Sequence, residues 1–326
     1  MENERKSLRW GVMLIAWAAV LRLLSAGLPG MLLHAVTGEK VIAALVYLET
    51  GRVVRPNIPK ATLRDSAPGE TTPPAAEKEE AQPLLAPEDA RLVSLRNSTD
   101  LEPDVDKLLL EAEFPSLVGS EPTVLIVHSH GSESYLAQAG YTESSPYRTH
   151  DRGHNMVSVG EALANKLRSL GIGVIHDTTM HDVPDYNAAY ANSRAAIRKY
   201  LEQYPSIRLV LDLHRDASSN YVNQLTTHAK VAGEDSAQLM LVIGTGHDGW
   251  QRNMSCAAQI HALLEKTWPG LCRSIDFRTG RFNQDLGPVT MLVEVGAAGD
   301  TRQEALIAVD ALADAIAALA TENSTR

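Results

Sequence analysis

The chain has 326 residues, 44% of them hydrophobic and 21% charged, and its formal net charge is −10. An acidic chain without clusters of lysine and arginine lacks the surface that binds a phosphate backbone, which argues against nucleic acid as a partner. Two cysteines, Cys256 and Cys272, are too few for a disulfide scaffold, and we expect both to be small buried apolar side chains.

An apolar stretch near the amino terminus predicts a transmembrane helix. It runs from Trp10 to Leu28, about 19 residues, which is close to the length that spans a bilayer core. Basic residues within positions 1–9 precede it, so we expect the amino terminus inside the cell and the rest of the chain outside. A cleaved signal peptide is the alternative. Residues 1–29 are thus predicted to form a cytoplasmic tail and an anchor in the cell membrane.

Residues 30–120 have the composition of a spacer. An apolar stretch between Met31 and Leu48 is interrupted by charged residues and predicts a short juxtamembrane helix. From about residue 52, prolines recur among Glu, Lys, Ala and Ser, which is typical of a semi-extended, largely disordered linker. We expect this linker to hold the following domain away from the membrane.

Residues 121–326 are predicted to form one folded domain. Apolar strands alternate with helical stripes in a β-α-β-α-β order, which indicates a parallel sheet with crossover helices. We therefore predict an α/β fold with an open, mostly parallel sheet and helices on both faces. The predicted strands are Thr123–Val127, Gly173–His176, Ile207–Leu213, Leu225–Val231, Leu239–Gly244 and Met291–Val295, and the predicted helices cover Asn155–Leu170, Asp185–Tyr204, Asn253–Trp268 and Thr301–Thr321.

Three of these strands carry metal-binding or acid-base side chains at or near their carboxyl ends. The first runs into the segment His128–Glu133, the third into His214–Asp216, and the last contains Glu294. Open α/β sheets build their sites outside the carboxyl ends of the strands, so we expect these side chains to meet in one cleft.

The first two segments predict a catalytic zinc site. Such sites use three ligands from His, Glu or Asp and leave one position for water. We expect His130, Glu133 and His214 to be the ligands. His128 is an alternative ligand or a residue that supports the ligands, because strand alternation places it on the same side as His130. A turn histidine at 130 and a core histidine at 214 are the structural alternatives.

Glu294 is the predicted general base. It interrupts the apolar strand Met291–Val295, where an unpaired buried carboxylate would be costly. Facing a cleft beside an activated water, it would accept a proton. The alternative is a glutamate on the solvent face of an edge strand.

Several sequence blocks resemble the stage II sporulation protein P family, from about residue 121 to residue 320. The resemblance implies a fold like that of the zinc N-acetylmuramoyl-L-alanine amidases and a peptidoglycan hydrolase of sporulation engulfment, which releases stem peptides and also cleaves cross-links. It implies a lytic transglycosylase and a small multipass membrane protein as partners. The blocks are Val127–Tyr135, Gly173–Asp177 with His181-Asp182 and Tyr186-Asn187, Asp212–Ala217, Arg281–Gln284 and Leu292–Gly296.

By position, the resemblance makes His130 and His214 zinc ligands and Glu294 the catalytic glutamate. The amidases take their remaining ligand from a glutamate that opens the following helix, and this sequence has none there. Glu133 or Asp151 would fill that role.

Arg215 and Arg281 are candidate clamps for the carboxylates of a stem peptide, because a guanidinium group binds a carboxylate through two parallel hydrogen bonds. Structural ion pairs with Asp212, Asp216 or Asp285 are the alternative. Two other functions stay open: a zinc endopeptidase acting only on cross-links, and a membrane-tethered, non-catalytic wall-binding protein.

Overall fold

A computed structural model of the protein describes residues 83–111, 113–119, 121–137, 144–218 and 224–322. The predicted anchor and juxtamembrane helix lie outside these residues. Within the described part, no helix is both long and apolar enough to cross a bilayer. All described residues fall within one unit, Glu79–Arg326.

The described elements alternate along most of the chain. The strands are β1 (Leu95–Asn97), β2 (Pro122–Val127), β3 (Gly173–His176), β4 (Leu209–Asp216), β5 (Ala229–Val231), β6 (Glu234–Ser236), β7 (Leu239–Gly244), β8 (Ile275–Arg278) and β9 (Thr290–Ala297). The helices are α1 (Val105–Glu111), α2 (Met156–Ser169), α3 (Ala189–Gln203), α4 (Trp250–Thr267) and α5 (Arg302–Glu322), and short 3₁₀ helices cover Pro87–Leu92 and Tyr186–Ala188.

Seven strands form one sheet in the order β1-β8-β7-β9-β4-β2-β3. Every neighbouring pair is parallel except β7 and β9, which are antiparallel. This confirms the predicted α/β fold with an open, mostly parallel sheet. The strands β5 and β6 form a separate hairpin, so the predicted strand Leu225–Val231 is reduced to three residues outside the main sheet.

Helices cover both faces of the sheet, as predicted. On one face Leu211 and Leu213 of β4 pack in a large core with α2, α4 and α5. On the other face Val210 of β4 and Leu125 of β2 pack with Ile197 of α3. Because successive side chains of a strand point to opposite faces, the residues of these two cores alternate along β4. The burial of both apolar faces supplies most of the stability of such a domain.

The local end signals of two helices are confirmed. Thr301 and Glu304 form the predicted capping box at the start of α5: the Glu304 carboxylate accepts from Thr301 N at 2.8 Å, and Thr301 Oγ1 accepts from Glu304 N at 3.2 Å. The helix α3 ends at Gln203, just before Pro205, as the steric restriction on residues that precede proline predicts.

The folded unit begins earlier than residue 121, the predicted boundary. Leu95 of β1 pairs with Ile275 of β8, so residues of the predicted linker form an edge strand of the sheet. Leu109 of α1 is buried against Ala258 and Ala262 of α4. Neither β1 nor β8 was expected, because strands of three or four residues that contain charged side chains lack a clear apolar pattern.

We expect Gly173→Ala to destabilise the fold. A Cβ at this position would lie 2.3 Å from the carbonyl oxygen of Glu121, a backbone atom that cannot move away without disturbing the start of β2. Urea unfolding is expected to show a loss of about 1–3 kcal/mol. Gly119→Ala is the control, since its Cβ would meet no atom within 4 Å, and an equal loss in both variants would contradict this explanation.

Candidate active site

The pairing of β4 with β9 places the first two site residues side by side. His214 is in register with Glu294, and Asp212 is in register with Leu292. Residues in register on neighbouring strands point to the same side of a sheet, so His214, Glu294 and Asp212 share one face. Because β9 also pairs with β7, Glu294 lies on an interior strand and not on an edge strand.

The turn after β2 brings His130 to the same place. Ser129 is fixed to β4, because its N and Oγ donate to the two oxygens of Asp212 at 2.8 and 2.5 Å. The His130 ring then lies 5.4 Å from the His214 ring, centroid to centroid. On the other side, His214 Nδ1 lies 3.6 Å from Glu133 Oε2. The three predicted ligands are therefore neighbours.

Two distances among the side chains of His130, Glu133 and His214 are close to those of a tetrahedral zinc site. With Zn–N distances of about 2.0–2.1 Å, two ligating imidazole centroids are expected about 5 Å apart and neighbouring ligand atoms about 3.4 Å apart. The two observed distances lie close to these values. His130 Nδ1 is buried and has no hydrogen-bond partner in the described structure. As the side chains stand, however, no group of three or more His, Cys, Asp or Glu residues in the described part already forms a metal-binding arrangement.

Glu133 is fully ionised in this environment. Its burial alone would raise the pKa, but the Arg215 guanidinium and the His214 ring outweigh burial and lower the pKa of Glu133 to about 2. Arg215 donates to Glu133 from its backbone N at 3.3 Å and from Nη1 at 3.4 Å. Glu133 is thus a carboxylate at any pH at which a zinc ligand would be needed.

Asp212 supports His214 from the side opposite Glu133. Asp212 Oδ1 lies 3.0 Å from His214 Nε2, an ion-pair contact without hydrogen-bond geometry. Burial acts to lower the pKa of His214, but the carboxylates of Asp212 and Glu133 outweigh it and raise this pKa well above its usual range. A carboxylate behind a histidine is the usual support for a metal ligand, and a metal at Nδ1 would replace a proton.

One carboxylate oxygen of Glu294, the buried Oε2, makes no hydrogen bond within the described structure. Burial, reinforced by the charge of Glu133, raises the pKa of Glu294 to about 8, although His214 acts in the opposite direction. A carboxyl group with a pKa near neutrality can both accept and donate a proton.

His128 does not join the predicted ligands. The alternation of β2 continues to His128 and turns it toward α2, where its Nε2 lies 2.9 Å from His176 Nε2 and its Nδ1 lies 3.2 Å from the Leu213 carbonyl oxygen. The strand ends at Val127, and the following turn carries His130 to the opposite face. The expectation that both histidines lie on one side is wrong because alternation stops where the strand ends.

Asp151 also lies away from the site. It is exposed, and its carboxylate accepts from Gly153 N at 2.9 Å and contacts His154 Nδ1 at 2.8 Å. These local contacts shape the turn before α2. Of the two candidates for the remaining ligand, the structure therefore brings Glu133 to the histidines and not Asp151.

The two predicted arginine clamps have different surroundings. Arg215 is buried, and besides Glu133 its side chain donates to the carbonyl oxygens of Ser134 at 2.9 Å and Tyr147 at 2.8 Å. Each of its three side-chain nitrogens therefore donates to another part of the protein. Its ion-pair partner is Glu133, whereas Asp212, Asp216 and Asp285 contact His214, Arg273 and Arg194, respectively.

Arg281 is exposed and lies beside Gly246. Its Nε donates to the Gly246 carbonyl oxygen at 3.3 Å, and it lines a cavity of about 550 Å³ with Gly246. Gly246 follows the carboxyl end of β7. Because β7 is antiparallel to β9, this end lies at the edge opposite the carboxyl end of β9. The next residue, Phe282, lies against the Tyr190 ring, with the two centroids 6.1 Å apart, and the role of Arg281 as a substrate clamp stays a prediction.

Two tyrosines surround the site, and only one of them lay in a block noted for the family resemblance. The Tyr186 ring stacks on the His130 ring at 4.2 Å, and the Tyr190 ring lies 6.3 Å from the His214 ring. Burial raises the pKa of Tyr190, so it stays neutral. Tyr186 lies in the 3₁₀ helix just before α3 and Tyr190 lies in the first turn of α3, and their spacing of four residues is a sequence signal for a shared face.

We expect Arg215→Gln to destabilise the protein and Arg281→Gln to have little effect. Removal of Arg215 leaves the buried Glu133 carboxylate without its guanidinium, which typically costs about 3–5 kcal/mol, whereas exposed substitutions change stability by less than about 0.5 kcal/mol. Urea unfolding in the presence of a chelator tests this without a contribution from bound metal. Equal stabilities of the two variants would refute the structural role of Arg215.

Comparison with solved structures finds partial likenesses to amidases. The N-acetylmuramoyl-L-alanine amidase AmiC2 of Nostoc punctiforme has a TM-score of 0.37 at 13% identity, covering 64% of this chain and 100% of that chain. An N-acetylmuramoyl-L-alanine amidase from Clostridium difficile 630 has a TM-score of 0.36 at 17% identity, covering 64% and 97%. At these TM-scores the likeness says nothing about the activity of this chain.

Comparison of sequences is more decisive. Stage II sporulation protein P of Bacillus subtilis (strain 168) is 28% identical over 209 residues, which are 60% of this chain and 50% of that protein. The chain thus spans about half the length of this curated relative. The family model for stage II sporulation protein P matches residues 53–317. Because this match covers well over half of the chain, the protein belongs to the stage II sporulation protein P family.

Proposed function

We propose that this protein is a zinc-dependent peptidoglycan hydrolase of sporulation, which cleaves the amide between N-acetylmuramic acid and the L-alanine of stem peptides. The observation that carries the proposal is the position of Glu294, which is in register with the assigned ligand His214 and has a buried carboxylate oxygen without a hydrogen-bond partner among the described residues. Membership of the family supports the cell-wall substrate.

The residues at the site divide the chemistry between them. A zinc ion held by His130, Glu133 and His214 would lower the pKa of water and polarise the scissile carbonyl. Glu294 would take the proton from the attacking water at Oε2 and return it to the departing amine, which makes amine release favourable. A nearby cation lowers the pKa of a carboxyl, which favours the ionised form of Glu294 that is needed for the first of these transfers.

The neighbouring residues would orient these groups. Asp212 binds Ser129 with both oxygens and also contacts His214, so one carboxylate connects the turn that carries His130 with β4. The Tyr186 ring covers one face of the His130 ring and limits the access of water there.

We further propose that the anchor predicted for residues 10–28 tethers the protein to the cell membrane with the described unit outside the cytoplasm. The partners implied by the family resemblance, a lytic transglycosylase and a multipass membrane protein, would act on the same wall. A tethered hydrolase reaches only wall within the span of its linker.

We expect the full-length chain to release stem peptides from purified sacculi and the Glu294→Gln variant to be about 10²- to 10⁴-fold slower, the contribution that a general acid-base group typically makes. Mass spectrometry identifies the bond that is cleaved: peptides with a free amino-terminal L-alanine, together with glycan strands whose lactyl groups carry a free carboxyl, establish amidase action. Glu202→Gln, at an exposed position on α3, is the control.

Other results would favour the other functions. Cleaved cross-links with intact lactyl amides would make the protein an endopeptidase. Binding to sacculi without soluble products, unaffected by chelator, would make it a wall-binding protein. Full activity of Glu294→Gln would refute the assigned role of Glu294.

We expect one zinc ion to bind per chain through the three assigned ligands. Elemental analysis of the purified protein after dialysis should show zinc in the wild type, and the zinc content of His130→Ala and His214→Ala should fall to background because three-ligand sites rarely survive the loss of one. His228→Ala, at an exposed position on the hairpin side of the domain, should keep its zinc. Full zinc content in both ligand variants would contradict the assigned site.

A further inference from the structure

A cavity of about 270 Å³ opens next to the assigned zinc ligands, and the proposed hydrolysis does not use it. Three segments line it: the turn after β2, residues 144–150 and the loop before α3. Arg148 provides its positive charge, Ser144 and Ser145 provide hydroxyl groups, and Val183 and Pro184 form its apolar wall. We call this cavity the Arg148 pocket.

The backbone holds Arg148 in a fixed position relative to the zinc ligands. Glu133 and Arg148 form an antiparallel bridge, and Ser134 N donates to the Tyr147 carbonyl oxygen at 3.0 Å. Tyr147 has a φ of 56°, in the left-handed region that is unfavourable for residues other than glycine. Backbone pairing thus connects this strained turn directly to the segment that carries Glu133. The turn places the Arg148 side chain at the pocket.

The Arg148 guanidinium has no acidic partner among the described residues. It lies over the Tyr186 ring, with Cζ 3.8 Å from the centroid, and the residue is half-buried. Asp182, which also lines the pocket, accepts from Ser132 N at 3.2 Å and from Ser132 Oγ. A guanidinium that is stacked on an aromatic ring, has no counter-ion among the described residues and faces a concave surface with hydroxyl groups is suited to bind a carboxylate.

The distance to the zinc ligands indicates which carboxylate the pocket would bind. The Tyr186 centroid lies 4.2 Å from the His130 centroid and 3.8 Å from Arg148 Cζ, so the guanidinium carbon lies at most about 8 Å from the His130 ring. An extended peptide advances about 3.3–3.6 Å per residue. Arg148 is therefore within about two residues of an amide that is cleaved beside His130.

We propose that the Arg148 pocket binds the free carboxylate of the second stem-peptide residue, counted from the scissile amide. The position of that amide rests on the proposed function. In peptidoglycan this residue is a D-glutamate linked through its γ-carboxyl, so its α-carboxylate is free unless the wall is amidated. A free carboxylate accepts two parallel hydrogen bonds from Arg148, whereas the NH₂ group of a carboxamide is a donor that meets another donor. The pocket thus selects stem peptides that are not amidated at this position.

The test compares two soluble muramyl peptides that differ only in a free or an amidated α-carboxyl at the second residue. With the wild-type full-length chain, we expect the amidated substrate to have a KM about 10- to 100-fold higher at similar kcat, because hydrogen bonds to charged groups contribute on this scale and act in binding. Arg148→Gln should raise the KM of the free-carboxyl substrate by the same factor and abolish the discrimination. Arg152→Gln, an exposed arginine four residues away, is the matched control.

Binding measurements separate this inference from the proposed function. Calorimetry with the γ-amide of the dipeptide L-alanyl-D-glutamate, in which only the α-carboxylate is free, should show binding to the wild type and to Glu294→Gln, and weaker binding to Arg148→Gln. If the wild type cleaves neither substrate but binds the dipeptide through Arg148, the proposed hydrolase function is refuted and carboxylate binding at the Arg148 pocket is supported. If the wild type cleaves both substrates with equal KM, or Arg148→Gln keeps the discrimination, the pocket is refuted while the hydrolase remains.

Discussion

The parallel pairing of β4 with β9 is the constraint on which the site depends. It sets His214 opposite Glu294 and directs both, with Asp212, to one face of the sheet. A shift of the register by one residue would turn the side chains of one strand to the other face. The large apolar core on the opposite face, which contains Leu213 and Val293, prevents such a shift because it would expose these side chains in the cleft. Packing on one face therefore fixes the chemistry on the other.

The charges at the site are stable only as a set. Glu133, Asp212, His214 and Arg215 are all buried, and each has at least one of the others, or a backbone donor, within contact distance. Burial of an ion costs several kcal/mol unless partners compensate, and replacing such a network with apolar residues often stabilises a protein. The set is therefore best explained by function: Arg215 keeps Glu133 ionised and Asp212 orients both His214 and the turn that carries His130.

The sequence was most informative where apolar pattern and position agree. Buried strands such as β2 and β4 and the capping box of α5 follow from patterns within one element, and three strand ends with polar side chains were enough to predict that His130, Glu133, His214 and Glu294 meet. The side on which His128 lies could not be predicted, because that depends on where β2 ends. The role of Arg215 depends on a contact with a residue 82 positions away, and β1 is specified by its partner β8 more than by its own three residues.

The strand order explains why β2 and β4 supply the assigned zinc ligands and β3 does not. From β2 the chain passes through α2 to β3 on one side, and from β3 it passes through α3 to β4 on the other side of β2. The two helices pack on opposite faces of the sheet, so the chain diverges between β2 and β4 and leaves a crevice at their carboxyl ends, where ligands bind in open α/β sheets. His176 at the end of β3 lies outside this crevice and contacts His128 instead. A histidine at a strand end is thus a candidate ligand where the neighbouring crossover helices pack on opposite faces of the sheet and leave a crevice between them.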